Sequence, residues 1–210
     1  LLAAGLYLRK DLQRLWLSLK LSPAQSEGWE LLLGAVPAGL AGLLLDDTVE
    51  THLRSPLYMS AGMGIGAVLM GLAEQYSAQQ PVSRLHQFSK LLIGSSQALA
   101  LFPGVSRSGI TMATGLFCGL DRSQAARQSF LAGFPIIAAA GVFKLRKYLK
   151  DPPSQRELGL LATALTAATV SGYLSLRLLF QFLEKHPLHP FVLYRLGFAL
   201  FLLSQKNSLD

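Results

Sequence analysis

The sequence predicts an all-α polytopic membrane protein. Hydrophobic residues make up 51% of the 210 and charged residues only 15%, against about 25% charged in soluble domains. The mean hydropathy is +0.38. Apolar runs recur along the whole chain between short polar connections. No useful stretch alternates with the period of two that marks a strand. The length suits one compact bundle, so residues 1–210 are read as a single integral membrane domain.

A net charge of +7 would suggest nucleic acid in a soluble protein. Here the cations fall between apolar runs, as at Arg9, Lys10, Arg14 and Lys20, and again at Lys144, Arg146, Lys147 and Lys150. That is the pattern of juxtamembrane anchoring, and no nucleic-acid partner is expected. The single cysteine, Cys118, rules out a disulfide framework and reads as a buried, inert thiol.

The opening LLAAGLYLRK reads as the tail of a span whose start lies upstream, so the chain is expected to be N-terminally truncated. Further apolar segments follow at 30–45, 57–73, 91–120, 129–145, 158–183 and 191–204, measured against the roughly 20 residues that cross a bilayer. All are rich in Gly and Ala, which let helix backbones approach closely in lipid. DPPSQRE, at 151–157, is a turn. GAVPAG at 34–39 and AGFPIIAAAG at 132–141 each place a proline early in an apolar helix. This pairing fits inverted repeats of the transporter kind, although proline kinks alone produce it too.

The basic segment 9–20 is placed in the cytoplasm, the acidic DDTVETHLR outside, and basic 144–156 inside again. Parity then asks 91–120 to cross once as a broken helix. A re-entrant hairpin would return to its own side and leave 144–156 outside. The charge rule favours the broken helix; the chemistry of the interruption fits either form.

That interruption is PGVSRSG, at 103–109. Irregular backbone at membrane depth is tolerated where it is buried in protein or lines a wet cavity. Pro103 stops one arm, and Gly104 and Gly109 allow tight bends. Ser106, Ser108 and Thr111 offer hydroxyls. Arg107 offers a planar fork of donors that stays charged. The residues after Gly109 return to a helical pattern, so the loop feeds a helix N-terminus whose free N–H groups point at any occupant. These parts make an anion site, with phosphate the natural ligand. The alternative is that Arg107 snorkels or pairs with a carboxylate on another helix. No GxxxxGK[ST], no G-x-S-x-G elbow and no metal-spaced His/Cys set is present.

Other polar residues carry weaker signals. Glu30 and Glu74 end apolar runs and read as helix-end carboxylates. Asp46 and Asp47 close a span and face water. His52, His86, His186 and His189 all lie in loops and read as surface residues. Gln97, one or two turns before the loop, is a candidate to bond its backbone or to pack. Arg195 lies inside the last apolar run, where a structural ion pair and a lipid-phosphate contact fit equally.

QALALFPGVSRSGIT, at 97–111, resembles the second signature of the bacterial undecaprenyl-diphosphatase family, the bacitracin-resistance or BacA-like proteins. SFLAGFP at 129–135, LLLGAVPAGLAGLLLDDTVE at 31–50 and PFVLYR at 190–195 are similar to further segments of that family. The resemblance covers essentially the whole chain. It implies removal of the terminal phosphate from undecaprenyl diphosphate, recycling the carrier lipid of peptidoglycan synthesis and conferring bacitracin resistance. It also implies a multi-pass protein of the bacterial inner membrane with inverted repeats and re-entrant tips, and it leaves room for a homodimer. By motif match, Arg107 and Ser106 would be catalytic. Gly104, Ser106, Arg107, Ser108, Gly109, Thr111 and Gln97 would bind substrate. The resemblance implies a divalent ion, Mg2+ or Ca2+. The family's first signature, which carries paired glutamates, a serine and a histidine, has no match in this sequence. The ligands of that ion are therefore expected upstream, and none is assigned in this chain. Two rival readings rest on chemistry alone: a carrier for a phosphorylated lipid or anion, and a non-catalytic lipid-binding scaffold.

Overall fold

The computed structural model describes residues 1–21, 26–53, 55–79, 82, 87–150 and 154–205. The side chains of Asp46, Asp47, Lys147 and Lys150, the residue His86, and the first part of the 151–157 turn lie outside the described residues. The described residues form helices and connections, without a strand. Two short helices, α1 (Leu2–Tyr7) and α2 (Arg9–Ser18), precede two long ones, α3 (Glu27–His52) and α4 (Pro56–Ser77). Then come α5 (Gln87–Ser95), a 3-10 turn (Ser96–Leu101) and α6 (Arg107–Phe117). The chain closes with α7 (Arg122–Lys150), α8 (Gln155–Lys185) and α9 (His189–Gln205). Helices α3, α4, α7 and α8 are long and apolar enough to cross a membrane.

Local chemistry sets the helix starts. Ser26 caps α3, accepting from Trp29 N at 3.2 Å. Ser55 caps α4 ahead of Pro56, which suits the first helical position because its missing N–H has no intrahelical partner there. Ser154 and Glu157 form a reciprocal capping box on α8. The prolines at 37 and 135 lie inside α3 and α7. Both helices pack on the α5–α6 unit, α3 against α5 and the 3-10 turn, α7 against α6.

Segment 91–120 does not cross as one broken helix. Helix α5 has 9 residues and α6 has 11, about 14 and 16 Å at 1.5 Å per residue. The 3-10 turn adds about 12 Å to the first arm, so the path is decided by where the two ends of the segment lie. The two arms pack against one another, and Leu120, just past α6, lines the same cavity as Lys90 and Ile93 of α5. The segment is a re-entrant hairpin with PGVSRSG at its tip.

This overturns the charge-rule preference and the orientation built on it. Arg127, near the start of α7, pairs with Asp11 of α2. Lys144 lies 17 residues farther along α7, about 26 Å away. The two basic clusters therefore face opposite sides of the membrane, so cation counts do not orient the chain. The opening segment does not stand alone either: Tyr7 of α1 stacks on Phe180 and meets Tyr173 edge-on, joining α1 to α8.

The core is a seam of Leu, Ala and Met from α4, α6, α7 and α8. Small residues set its close approaches. Gly34 of α3 and Gly94 of α5 meet backbone to backbone, where a Cβ on Gly94 would come within 2.7 Å of the Gly34 backbone. Large apolar side chains such as Leu43, Leu44 and Phe143 point outward. In a membrane that outer surface faces acyl chains.

Candidate active site

The hairpin tip is shaped by its glycines and by α4. Gly104 has φ +91, a left-handed backbone that favours glycine. Its Cα also abuts the α4 backbone, where a Cβ would come within 2.8 Å of Met63 N. One turn apart on α4, Gly62 and Gly66 form a trough. Phe102, Pro103 and Val105 lie over the first and Val105 and Arg195 over the second. The Gly-rich run 57–73 thus docks the loop as well as packing helices.

After the turn, Ser106 is the N-cap of α6. Its Oγ accepts from Gly109 N at 3.1 Å and stands 3.3 Å from Ser108 Oγ. Because the Ser106 oxygen accepts from an amide, its own hydroxyl proton is left to donate, to Ser108 or to a ligand. Among the described residues no imidazole or carboxylate hydrogen-bonds either serine. The first N–H groups of α6 have no intrahelical acceptor and open toward the loop.

Arg107 begins α6 and runs toward α7. Its guanidinium lies on the backbone of Gly133, where a Cβ would come within 2.5 Å of Cζ and 2.9 Å of Nη2. Its Nη1 is buried with no hydrogen-bond partner among the described residues. The reading of Arg107 as one half of an ion pair therefore fails there. Gly133 is 11 residues into α7, about 16 Å along its axis, near the middle of a 30 Å core. A guanidinium at that depth costs roughly 2.5–3.5 kcal/mol on insertion scales, and an unpaired donor adds to that cost. An anion would remove both penalties.

The other predicted site residues divide. Gly104, Ser106, Arg107, Ser108 and Gly109 come together at the tip. Thr111 does not. It is 1% exposed, and its hydroxyl bonds Arg107 O at 2.8 Å and Ser129 Oγ at 2.6 Å. Ser129 also reaches Ser108 O at 3.3 Å. Thr111 therefore joins α6 to α7 behind the loop. Gln97 is 3% exposed; its Oε1 is buried without a hydrogen-bond partner among the described residues, and its amide nitrogen clamps the hairpin. Its Nε2 donates to Gly94 O and Ala132 O, both at 3.1 Å. It ties the hairpin to α7 one residue before Gly133.

Arg195 is the residue that sequence reasoning left open. From α9 its Nη2 donates to Gly104 O at 2.7 Å, holding the turn from the side opposite Arg107. Its Nε is buried without a partner among the described residues. Glu30 and Glu74 are helix-end carboxylates, as read, but both are buried and paired. Glu30 meets Lys90 at 2.7 Å. Glu74 takes Arg122 Nε at 2.7 Å and Leu188 N at 3.3 Å, fastening α4 to α7 and α9. Cys118 is the half-buried C-cap of α6.

Among the described residues no three His, Cys, Asp or Glu side chains come together, and no carboxylate lies at the tip. These residues do not fit a divalent ion, and no step is assigned to one.

Fold and tip together define a multi-pass membrane protein with a re-entrant hairpin that presents an arginine and two serines at mid-membrane. The chain belongs to the bacitracin resistance protein BacA family, whose profile matches residues 1–201. It is 41% identical over 204 residues to an undecaprenyl-diphosphatase of Hahella chejuensis, covering 93% of this chain and 76% of that protein. It is 38% identical to one of Elusimicrobium minutum, covering 97% and 78%. A third, from Thioalkalivibrio sulfidiphilus, is 39% identical, covering 97% and 79%.

Proposed function

We propose that this protein is an undecaprenyl-diphosphate phosphatase, a membrane hydrolase that cleaves the diphosphate bond of its lipid substrate. The observation that carries the reading is the buried, unpartnered Nη1 of Arg107 at the capped start of α6. A phosphoryl group there meets the guanidinium fork, with the open amides at the start of α6 beside it. Both kinds of donor oppose the negative charge that spreads over the transferring group. The fork is held in advance by Gly133, and the turn by Gly104 and Arg195, so little reorganisation accompanies binding. On this reading the protein works in the bacterial inner membrane, and its activity belongs to peptidoglycan synthesis and bacitracin resistance. Release of inorganic phosphate from undecaprenyl diphosphate by the purified protein is the test. Movement of the lipid across vesicles without phosphate release would replace the phosphatase by a carrier.

A further inference from the structure

Residues 158–176 of α8 carry no charge, about 28 Å of helix against a hydrocarbon core of about 30 Å. Arg156 and Glu157 bound this stretch at one end and Arg177 at the other. Tyr173, one turn before Arg177, therefore stands where hydrocarbon gives way to headgroups, the usual depth of interfacial tyrosines. At that level α1 lies against α8. Gly172 admits Ala3, whose Cβ would meet one on the glycine at 3.0 Å, and Tyr7 meets Tyr173 edge-on. Between these walls is an open pocket of about 650 Å3. Arg9 and Lys10 of α2 line it, and Leu6, Val170 and Leu174 form its apolar side. Each of these three is more than half exposed, so that side opens to acyl chains. The charges of the pocket do not balance. Asp11, the carboxylate on its wall, is taken by Arg127. Among the described residues neither Arg9 nor Lys10 has an ion pair.

We propose that this pocket binds an anionic diacyl phospholipid, with the headgroup phosphate on Arg9 and Lys10 and the start of the acyl chains on Leu6, Val170 and Leu174. Basic pockets between membrane helices take such headgroups, because each cation near the surface favours an anionic lipid. Two free cations call for a ligand of net negative charge. A zwitterionic headgroup would bring an ammonium among cations, with the carboxylate of Asp11 already occupied. A free phosphate would leave the apolar side unused. None of the tip residues 104–109 lines this pocket, so the lipid is a partner of the fold and not the substrate of the tip. Bound there, it bridges α2 and α8 at the membrane surface.

Native mass spectrometry of the detergent-solubilised protein tests it, with phosphatidylglycerol and phosphatidylcholine offered in equal amounts. Phosphatidylglycerol should be retained in preference. The double change Arg9→Gln/Lys10→Gln should lower that preference about tenfold to thirtyfold, the value of two cations near an anionic headgroup. Lys144→Gln/Arg146→Gln removes the same charge from the other basic cluster and should change it by less than about twofold. Val170→Trp keeps every cation and fills the apolar side, so retained phosphatidylglycerol should fall there too. An unchanged preference in Arg9→Gln/Lys10→Gln overturns the site. So does an equal fall in Lys144→Gln/Arg146→Gln, which would reduce the attraction to net charge. If Arg9→Gln/Lys10→Gln fails to fold, Val170→Trp decides, and unchanged retention there overturns the site. Displacement of phosphatidylglycerol by an equal amount of undecaprenyl phosphate would assign the pocket to the carrier lipid and overturn the proposal as well. Phosphate release is not the readout, so the phosphatase reading stands or falls separately.

Discussion

The guanidinium of Arg107 rests on the backbone of Gly133, so that a Cβ at position 133 would come within 2.5 Å of Cζ. The site arginine is seated by the absence of a side chain on a neighbouring helix. Gly133→Ala should therefore displace the fork. A misplacement of about 1 Å costs on the order of a hundredfold in rate. Phosphate release should fall by that order while the thermal transition stays close to that of the unaltered protein. Full activity in this variant would mean that the fork does not need its seat.

Arg107→Lys keeps a positive charge but loses the planar, two-pronged geometry. Losing one preorganised donor costs about 10²–10³ in turnover. Steady-state phosphate release should fall within that range. A lysine variant within a few fold of the parent would argue against a direct contact with phosphate.

Thr111→Val should behave differently from either. The hydroxyl lies between Arg107 O and Ser129, and removing it leaves a buried serine and carbonyls short of a partner at about 1–3 kcal/mol. The expected result is a lower denaturation midpoint with little change in KM. A large rise in KM at unchanged stability would return Thr111 to the substrate.

The Glu74–Arg122 pair predicts an order of damage. Glu74 is 4% exposed at its side chain and Arg122 is 35%. Arg122→Leu strands a buried carboxylate, whereas Glu74→Leu leaves a cation that reaches water and the neutral amide of Leu188. Breaking a fully buried pair costs about 3–5 kcal/mol, and partial exposure lowers this. Thermal denaturation should rank Arg122→Leu below Glu74→Leu, with the double variant recovering part of the loss. The reverse order would show that the guanidinium, not the carboxylate, is the group that cannot lose its partner.

The tip is legible in the sequence because its chemistry is local. Proline, glycine, two serines and an arginine within seven residues define a turn, a cap and an anion contact without reference to the rest of the chain. The path of the hairpin is not. It depends on two arms that pack on one another and on α7 carrying Lys144 away from the Arg127–Asp11 pair, whereas the charge rule weighs the cations without knowing their side. The seat at Gly133, the Gly104–Arg195 bond and the inward turn of Thr111 join residues 18 to 91 positions apart. No periodicity records such pairings. Arg195 signalled itself only as a cation in an apolar helix, and its partner is a carbonyl that any residue possesses.

The most direct measurement is phosphate release from undecaprenyl diphosphate by the protein and by Arg107→Ala, with thermal unfolding recorded for both. The account predicts a loss on the order of a thousandfold at nearly unchanged stability, since no protein group in the described residues depends on Nη1. Equal rates in the two proteins would contradict it and move the phosphate site away from the hairpin.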